Sequence, residues 1–329
     1  MITMMSRRRF FALCGASSLA SIGASSLVSA AGTPVRVAYT AGLSVPQITM
    51  AFERDLWTGQ DIQALPVTFP TGREALEALL NGGAEIASLA DLPATTAALR
   101  NQDLVILGVA AKFVANRFIF NKASGASSIA ELNGKRLGVA MGTNMEYLAE
   151  TVLAEKDISP EIVNVGPGDT ILALARGDID AAVVFDTFYG MARETLGDNY
   201  AEELTPQYEG HFVICASQSF AESNPEAVKA VIRALVAADE IVEAEPDETA
   251  AAISESTGGA LSLGAIQEQM PNYAYGLSLD DGLLRLMVAE GKWITESGII
   301  QGNASEELFR SYIADEYLAD IAADRVSLQ

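Results

Sequence analysis

One pattern occurs twice in this chain, 95 residues apart. Residues 76–91 read LEALLNGGAEIASLAD and residues 171–186 read ILALARGDIDAAVVFD. In that register Gly82 falls on Gly177, Glu85 on Asp180 and Asp91 on Asp186. Each copy has the apolar spacing of a helix, then a glycine suited to the left-handed helix C-terminus, then a short apolar run suited to a buried strand. Upstream, 67–69 and 162–164 read as strands before these helices. Further upstream, 35–39 and 136–140 are strand-like, each followed by a glycine-containing turn and a helical segment. The spacing predicts two βαβαβ units of similar size. Asp91 and Asp186 then stand at the carboxyl ends of equivalent strands, where open α/β sheets bind ligands.

The 329 residues, half of them apolar, suffice for two ordinary domains. The segment 117–120 reads as the crossing into the second unit, and the apolar run 211–216 as the return. A long helix follows from 226 to about 243, and the remaining chain reads as helical, with no new strand, packed on the first unit. The expectation is an α/β chain of two lobes joined by two crossing strands. Residues 32–117 and 213–329 form a discontinuous lobe 1 with the C-terminal helices, and residues 118–212 form an inserted lobe 2.

Residues 1–31 read as an export signal. Ser6-Arg7-Arg8-Arg9-Phe10 precedes an uncharged run of Ala, Ser, Gly and Leu, and small residues at 28–31 suit a signal peptidase. This is the form of a twin-arginine signal, so the mature chain is expected to be periplasmic. Its removal takes three arginines and no acid, moving the formal net charge from −22 to −25. Such a chain does not bind nucleic acid or anionic lipid through bulk electrostatics. Of the two cysteines, Cys14 lies in the signal, so Cys215 has no internal partner and reads as a small buried hydrophobe.

Two such lobes enclose a cleft walled by strand-end loops. Lobe 1 supplies Thr40, Gly42 and Leu43, then Gly72 and Arg73, then Asp91. Lobe 2 supplies Gly142, Thr143 and Asn144, then Asp186 and Phe188. Three of these loops place glycine at a helix start, where free backbone N–H groups hold anions. Arg73 is the one cation among them; it either grips a sulfonate, nitrate or carboxylate in bidentate fashion or is a solvated first-turn residue. Asp91 and Asp186 either receive an ammonium or serve as caps and structural partners. Phe188 either covers the apolar part of a ligand or packs in the core. No catalytic residue, metal site or cofactor is assigned. The single histidine, His211, has no second ligand at metal spacing, and no nucleophile elbow or phosphate loop is present.

These motifs, in order, resemble the substrate-binding proteins of ABC importers for nitrate, sulfonates and taurine, the NMT1/THI5-like family. Ala90-Asp91-Leu92-Pro93 is similar to the family's Gly-Asp-x-Pro, and residues 132–139 (LNGKRLGV) to its Leu-x-Gly-Lys-x-Val-Gly-Val. Gly142-Thr143 matches its Gly-Ser/Thr turn and residues 177–181 its Gly-x-Val-Asp-Ala. Residues 185–189 (FDTFY) resemble Trp-Asp-Pro-Tyr-Tyr, with Phe185, Thr187 and Phe188 departing from it. The resemblance implies a type II periplasmic-binding-protein-like fold. It implies a monomeric solute receptor that delivers a ligand to a membrane permease served by a separate ATPase. A sulfonate, taurine or nitrate is the favoured ligand; an aromatic acid, a pyrimidine or a flavin is the alternative. The same resemblance extends to enzymes, the thiamine-pyrimidine synthases and chorismate-dehydratase-like lyases. A sensory ligand-binding subunit is a third reading.

Overall fold

The computed structural model describes residues 32–206 and 208–328; the expected export signal, 1–31, lies outside the described residues. From residue 33 to residue 113 strands and helices alternate strictly. The chain runs β1 (Thr33–Tyr39), α1 (Pro46–Glu53), β2 (Ile62–Thr68), α2 (Gly72–Leu80), β3 (Ile86–Ala90), α3 (Asp91–Leu99) and β4 (Val105–Phe113). Then follow β5 (Arg117–Asn121), β6 (Arg136–Val139), α4 (Asn144–Glu155), β7 (Glu161–Asn164), α5 (Pro167–Arg176), β8 (Ala181–Val183), α6 (Tyr189–Leu196) and β9 (Tyr200–Leu204). The chain continues with β10 (Gly210–Ala216), α7 (Gln218–Ser223), α8 (Pro225–Ala244), α9 (Pro246–Ser256) and α10 (Leu263–Gln269). It closes with β11 (Tyr273–Ser278), α11 (Asp281–Glu296), α12 (Glu306–Arg310) and α13 (Asp315–Ile321).

The strands form two sheets, one of order β11-β4-β10-β3-β1-β2 and one of order β7-β6-β8-β5-β9. The duplicated pattern appears in both as a parallel trio, β2-β1-β3 and β7-β6-β8. The duplication reaches side chains. Glu85, one residue before β3, accepts the Arg36 backbone N–H at 2.7 Å and its guanidinium. Asp180, one residue before β8, accepts the Arg136 backbone N–H at 2.8 Å and its guanidinium at 3.0 Å. Burial acts to raise both carboxyls, but the arginine hydrogen bonds prevail and hold them below the usual range. Gly177 ends α5 in the left-handed conformation at φ 76°, and Gly82, at φ 70°, lies just past the end of α2.

Two expectations need correction. The passages between sheets are not 117–120 and 211–216, which lie in strands β5 and β10; they are the short segment 114–116 and the stretch between β9 and β10, of which 205, 206, 208 and 209 are among the described residues. These segments bind each other: Thr205 donates its backbone N–H to the Asn116 carbonyl at 2.8 Å, and the Asn116 amide donates to the Tyr208 carbonyl at 3.2 Å. The C-terminal part is also not all helix. Strand β11 adds antiparallel to β4 at the edge of the first sheet. Its run Tyr-Ala-Tyr-Gly-Leu-Ser is short and lies between helical stretches, so the helical period on either side masks it. The terminal helices do pack on the first sheet and its helices, α8 against α1 and β11, α11 against α3, and α13 against β4. The central strands are sealed by this cover; Val35, Ile86, Ile106 and Leu107 have no exposed surface. Among the described residues, no helix is long and apolar enough to cross a membrane.

Candidate ligand cleft

The carboxyl ends of both sheets face one cavity of about 530 Å³. Thr40, Gly42 and Leu43 reach it from the loop after β1, and Gly72 and Arg73 from the start of α2. Thr143 and Asn144 reach it from the start of α4, and Asp186 and Phe188 from the turn after β8. Nine of the eleven candidate residues therefore meet at one place. Gly142 and Asp91 are not on the cavity wall.

Two of the helix starts that border the cavity, those of α2 and α4, are capped by side chains. Thr71 accepts the Glu74 backbone N–H while the Glu74 carboxylate accepts the Thr71 backbone N–H, a reciprocal capping box. Gly72, the first residue of α2, runs so close to β3 that a Cβ there would lie 2.8 Å from the Leu89 Cα, which excludes any larger residue without backbone movement. On the other side Thr143 caps α4, accepting the Met145 N–H at 3.3 Å and donating its hydroxyl to the Ala140 carbonyl at 2.7 Å.

Gly142 supports this corner from behind. Its φ is 75°, and its backbone N–H donates to the Glu146 carboxylate at 2.6 Å. A Cβ on Gly142 would lie 3.0 Å from the Arg73 Nη1. Arg73 thus spans from the first sheet's side of the cleft to the second's, and its guanidinium reaches the Met141 carbonyl at 3.4 Å. The rest of its pairing is one exposed contact with Glu77, one turn on, at 3.4 Å. The guanidinium therefore keeps most of its donors free for a ligand.

Asp186 is the opposite kind of group. Its Oδ2 is shut from solvent and has no hydrogen-bond partner. Burial pushes this carboxyl up to about 6; the Tyr273 hydroxyl, the Thr187 backbone N–H and the Arg117 charge act to lower it and do not prevail. The tyrosines around it come largely from β11, where Tyr273 and Tyr275 stack at 5.3 Å.

Asp91 is fully buried and points away from the cavity. Its Oδ1 accepts from the Tyr208 hydroxyl and the Leu92 N–H, and its Oδ2 accepts the His211 backbone N–H. The ammonium reading of Asp91 gives way to the structural one: its side chain turns into the protein, where Tyr208 and His211 supply its donors. His211 is equally structural. Its ring is buried, and its Nδ1 donates to the Glu209 carbonyl at 3.0 Å. Cys215 is buried in β10 away from the cavity.

Sequence reasoning missed two parts of the wall. Phe69 and Phe212 line it from the first sheet, because strand periodicity alone does not say which alternate face meets the cleft. Ser256, Thr257 and Leu261 close it from the end of α9 and the loop beyond. No local signal marks that segment, since its place depends on how α8 and α9 fold back.

A family model described as NMT1/THI5 like matches residues 48–249, about three fifths of the chain. The chain belongs to that family. A relative in Escherichia coli (strain K12), named for binding aliphatic sulfonates, is 25% identical over 198 residues, covering 58% of this chain and 61% of the relative. The taurine-binding periplasmic protein of the same organism is 28% identical over 187 residues, covering 54% and 57%. The chain thus spans about three fifths of the length of these curated relatives. The alkanesulfonate-binding protein SsuA of Xanthomonas axonopodis pv. citri, solved with MOPS bound, superposes with a TM-score of 0.73. It is 19% identical and is matched over 87% of this chain and 99% of its own. That likeness establishes the two-lobed α/β fold of the family's periplasmic binding proteins.

Proposed function

We propose that this chain is the solute-binding component of an ABC importer, capturing a small anionic ligand of the sulfonate class between its lobes. The observation that carries this reading is Arg73, the one cation on the cavity wall among the described residues, held across the cleft between two capped helix starts. The N-termini of α2 and α4 both point positive partial charge at this region, so an anion gains from each lobe only when both close on it. Closure is then a shift of population toward the form with the extra contacts. The short paired segments 114–116 and 205–209 suit the hinge, dividing lobe 1 from an inserted lobe 2.

The ligand residues in this reading are Thr40, Gly42, Leu43, Gly72, Arg73, Thr143, Asn144, Asp186 and Phe188, with Gly142 as a support. The names of the relatives favour a sulfonate or taurine and a periplasmic place of work. Arg7 and Arg8 favour export by the twin-arginine route. Delivery is to a membrane permease with a separate ATPase. The imidazole of His211 and the thiol of Cys215 lie off the cavity wall, which supports binding over turnover.

Thermal-shift titration of the purified protein with alkanesulfonates, taurine, nitrate and arylsulfonates tests the proposal. A ligand at one hundred times its Kd stabilises by about 2.7 kcal/mol. A rise in Tm with a sulfonate, reduced in Arg73→Ala, supports the reading. A panel with no rise at all counts against it.

A further inference from the structure

The return passage between the sheets carries one side chain that touches both halves of the protein. Tyr208 is buried, and its hydroxyl donates at 2.5 Å to the Oδ1 of Asp91, the first residue of α3 on the first sheet's side. The same hydroxyl meets the side chain of Asn144, the first residue of α4 on the second sheet's side. Its ring packs edge-on against Tyr147, one turn further along α4, with centroids 5.8 Å apart. Its backbone carbonyl accepts the Asn116 amide of the other passage at 3.2 Å. Tyr208 is thus held by its main chain, its ring and its hydroxyl, and it lies off the cavity wall. Asn144 lies on that wall, with little of it exposed.

Hydrogen-bond polarity runs one way along this line. The Asp91 carboxylate accepts from all three of its partners, so Tyr208 gives its one hydroxyl hydrogen to it. A hydroxyl whose hydrogen is committed meets a further neighbour as an acceptor, so Asn144 presents an N–H to Tyr208 and not its carbonyl. An asparagine amide has two ends of nearly equal shape and opposite polarity, and its neighbours decide which end faces which way. Here the buried Asp91 carboxylate decides it through one tyrosine. The second N–H and the carbonyl oxygen of Asn144 are left unclaimed by this contact.

We propose that Tyr208 is a positioning residue of the ligand cleft: it holds the Asn144 amide in one orientation at the start of α4 and ties that orientation to the passage between the lobes. This rests on the receptor reading, in which Asn144 is a ligand contact. Tyr208→Phe keeps the ring against Tyr147 and the carbonyl for Asn116 and removes only the hydroxyl, which frees the amide to turn over.

A double-mutant cycle tests the coupling. Isothermal titration calorimetry with butanesulfonate is run on purified wild type, Tyr208→Phe, Asn144→Ala and the double variant, each with a melting curve. Tyr208→Phe and Asn144→Ala are each expected to weaken binding about tenfold, and the double variant to bind about as well as Asn144→Ala alone. A fall in Tm with unchanged Kd for Tyr208→Phe marks a purely structural role and overturns the inference. So does a double variant whose loss is the product of the two single losses. A ligand-free measurement stands beside the cycle and needs no change at Tyr208. In deuterated protein with isotope-labelled asparagine and protonated tyrosine rings, the Asn144 side-chain signals are those missing from Asn144→Ala. Their N–H protons are expected to show a nuclear Overhauser contact to the Tyr208 ring protons beside the hydroxyl; its absence places the carbonyl end there and overturns the inference. Wild type that binds no butanesulfonate counts against the sulfonate reading of the cleft, and the Overhauser contact then decides the orientation of Asn144 by itself.

Discussion

The Tyr208 hydroxyl donates to the Asp91 Oδ1 at 2.5 Å, and through this bond the head of α3 holds the return passage between the sheets. The same carboxylate takes the His211 backbone N–H at 2.7 Å, so both the passage and the strand after it are fastened to one buried group. Glu290 of α11 is buried beside it, with the Thr95 hydroxyl donating to its Oε2 at 2.6 Å. Burial, reinforced by the Asp91 charge, drives the Glu290 carboxyl well above the usual carboxylate range. Burial pushes the Asp91 carboxyl up as well, but Asp91 has three donors against one for Glu290, which favours the charge of the pair on Asp91 and the proton on Glu290.

Asp91→Ala leaves the Tyr208 hydroxyl and the His211 N–H unpaired inside the protein. A loss of about 2–5 kcal/mol is expected, at about 1–3 kcal/mol for each buried donor left unsatisfied. Glu290→Gln keeps the shape and donor capacity of a protonated glutamate and is expected to cost under about 1 kcal/mol. Urea unfolding of the two variants checks the contrast; equal losses would reverse the assignment of charge and proton.

Gly72→Ala pushes a methyl group into the Leu89 backbone, and a destabilisation of about 1–3 kcal/mol is expected from this overpacking alone. Because Leu89 also lines the cavity, ligand affinity should fall with stability. The neighbouring exposed Glu74→Gln, which retains a capping side chain, serves as the control in the same unfolding and binding measurements.

Arg73→Ala should leave Tm nearly unchanged, since the side chain is 54% exposed and its ion pair with Glu77 is a weak surface contact. Affinity for an anionic ligand should fall by about tenfold to a hundredfold, the scale of a lost charged hydrogen bond. Calorimetric titration alongside a melting curve separates these two effects.

Asp186 makes stability depend on pH in a definite direction. Its folded-state carboxyl titrates at about 6 against an ordinary 3.8, so in that window the folded chain holds more protons than the unfolded one. Without ligand, this group's contribution is greatest at the acid end and is lost as pH rises through the window. Asp186→Asn should flatten that part of the stability profile. Denaturant midpoints measured between pH 4.5 and 8, with roughly half-unit steps around the shifted value, follow this trend.

Much of the architecture was legible because it repeats. The two parallel trios follow from Gly82 and Gly177 as helix stops and from apolar runs at equal spacing, all local signals. The cavity was legible for a related reason: Thr40, Arg73, Thr143 and Asp186 all follow strand ends, and strand ends of one hand converge. What was hidden depended on direction or on distance along the chain. Asp91 and Asp186 occupy equivalent places in the repeat, yet Asp91 is off the cavity wall and Asp186 is on it, with its carboxyl set against Tyr273. The difference lies in what surrounds them, since Asp91 has Tyr208 and His211 within reach and Asp186 does not. Strand β11 and the Ser256–Leu261 segment are set by long-range packing of the C-terminal helices, which no local pattern encodes. The paired ions Arg36–Glu85 and Arg136–Asp180 were half visible, through the acidic positions alone.

A small anionic solute is expected to draw the two lobes together around Arg73. Small-angle X-ray scattering of the purified protein, with and without a saturating sulfonate ligand identified by thermal shift, measures this directly. A smaller radius of gyration is expected on ligand addition, absent in Arg73→Ala at the same ligand concentration. A sulfonate that binds with no contraction, or contraction that persists unchanged in Arg73→Ala, would contradict it.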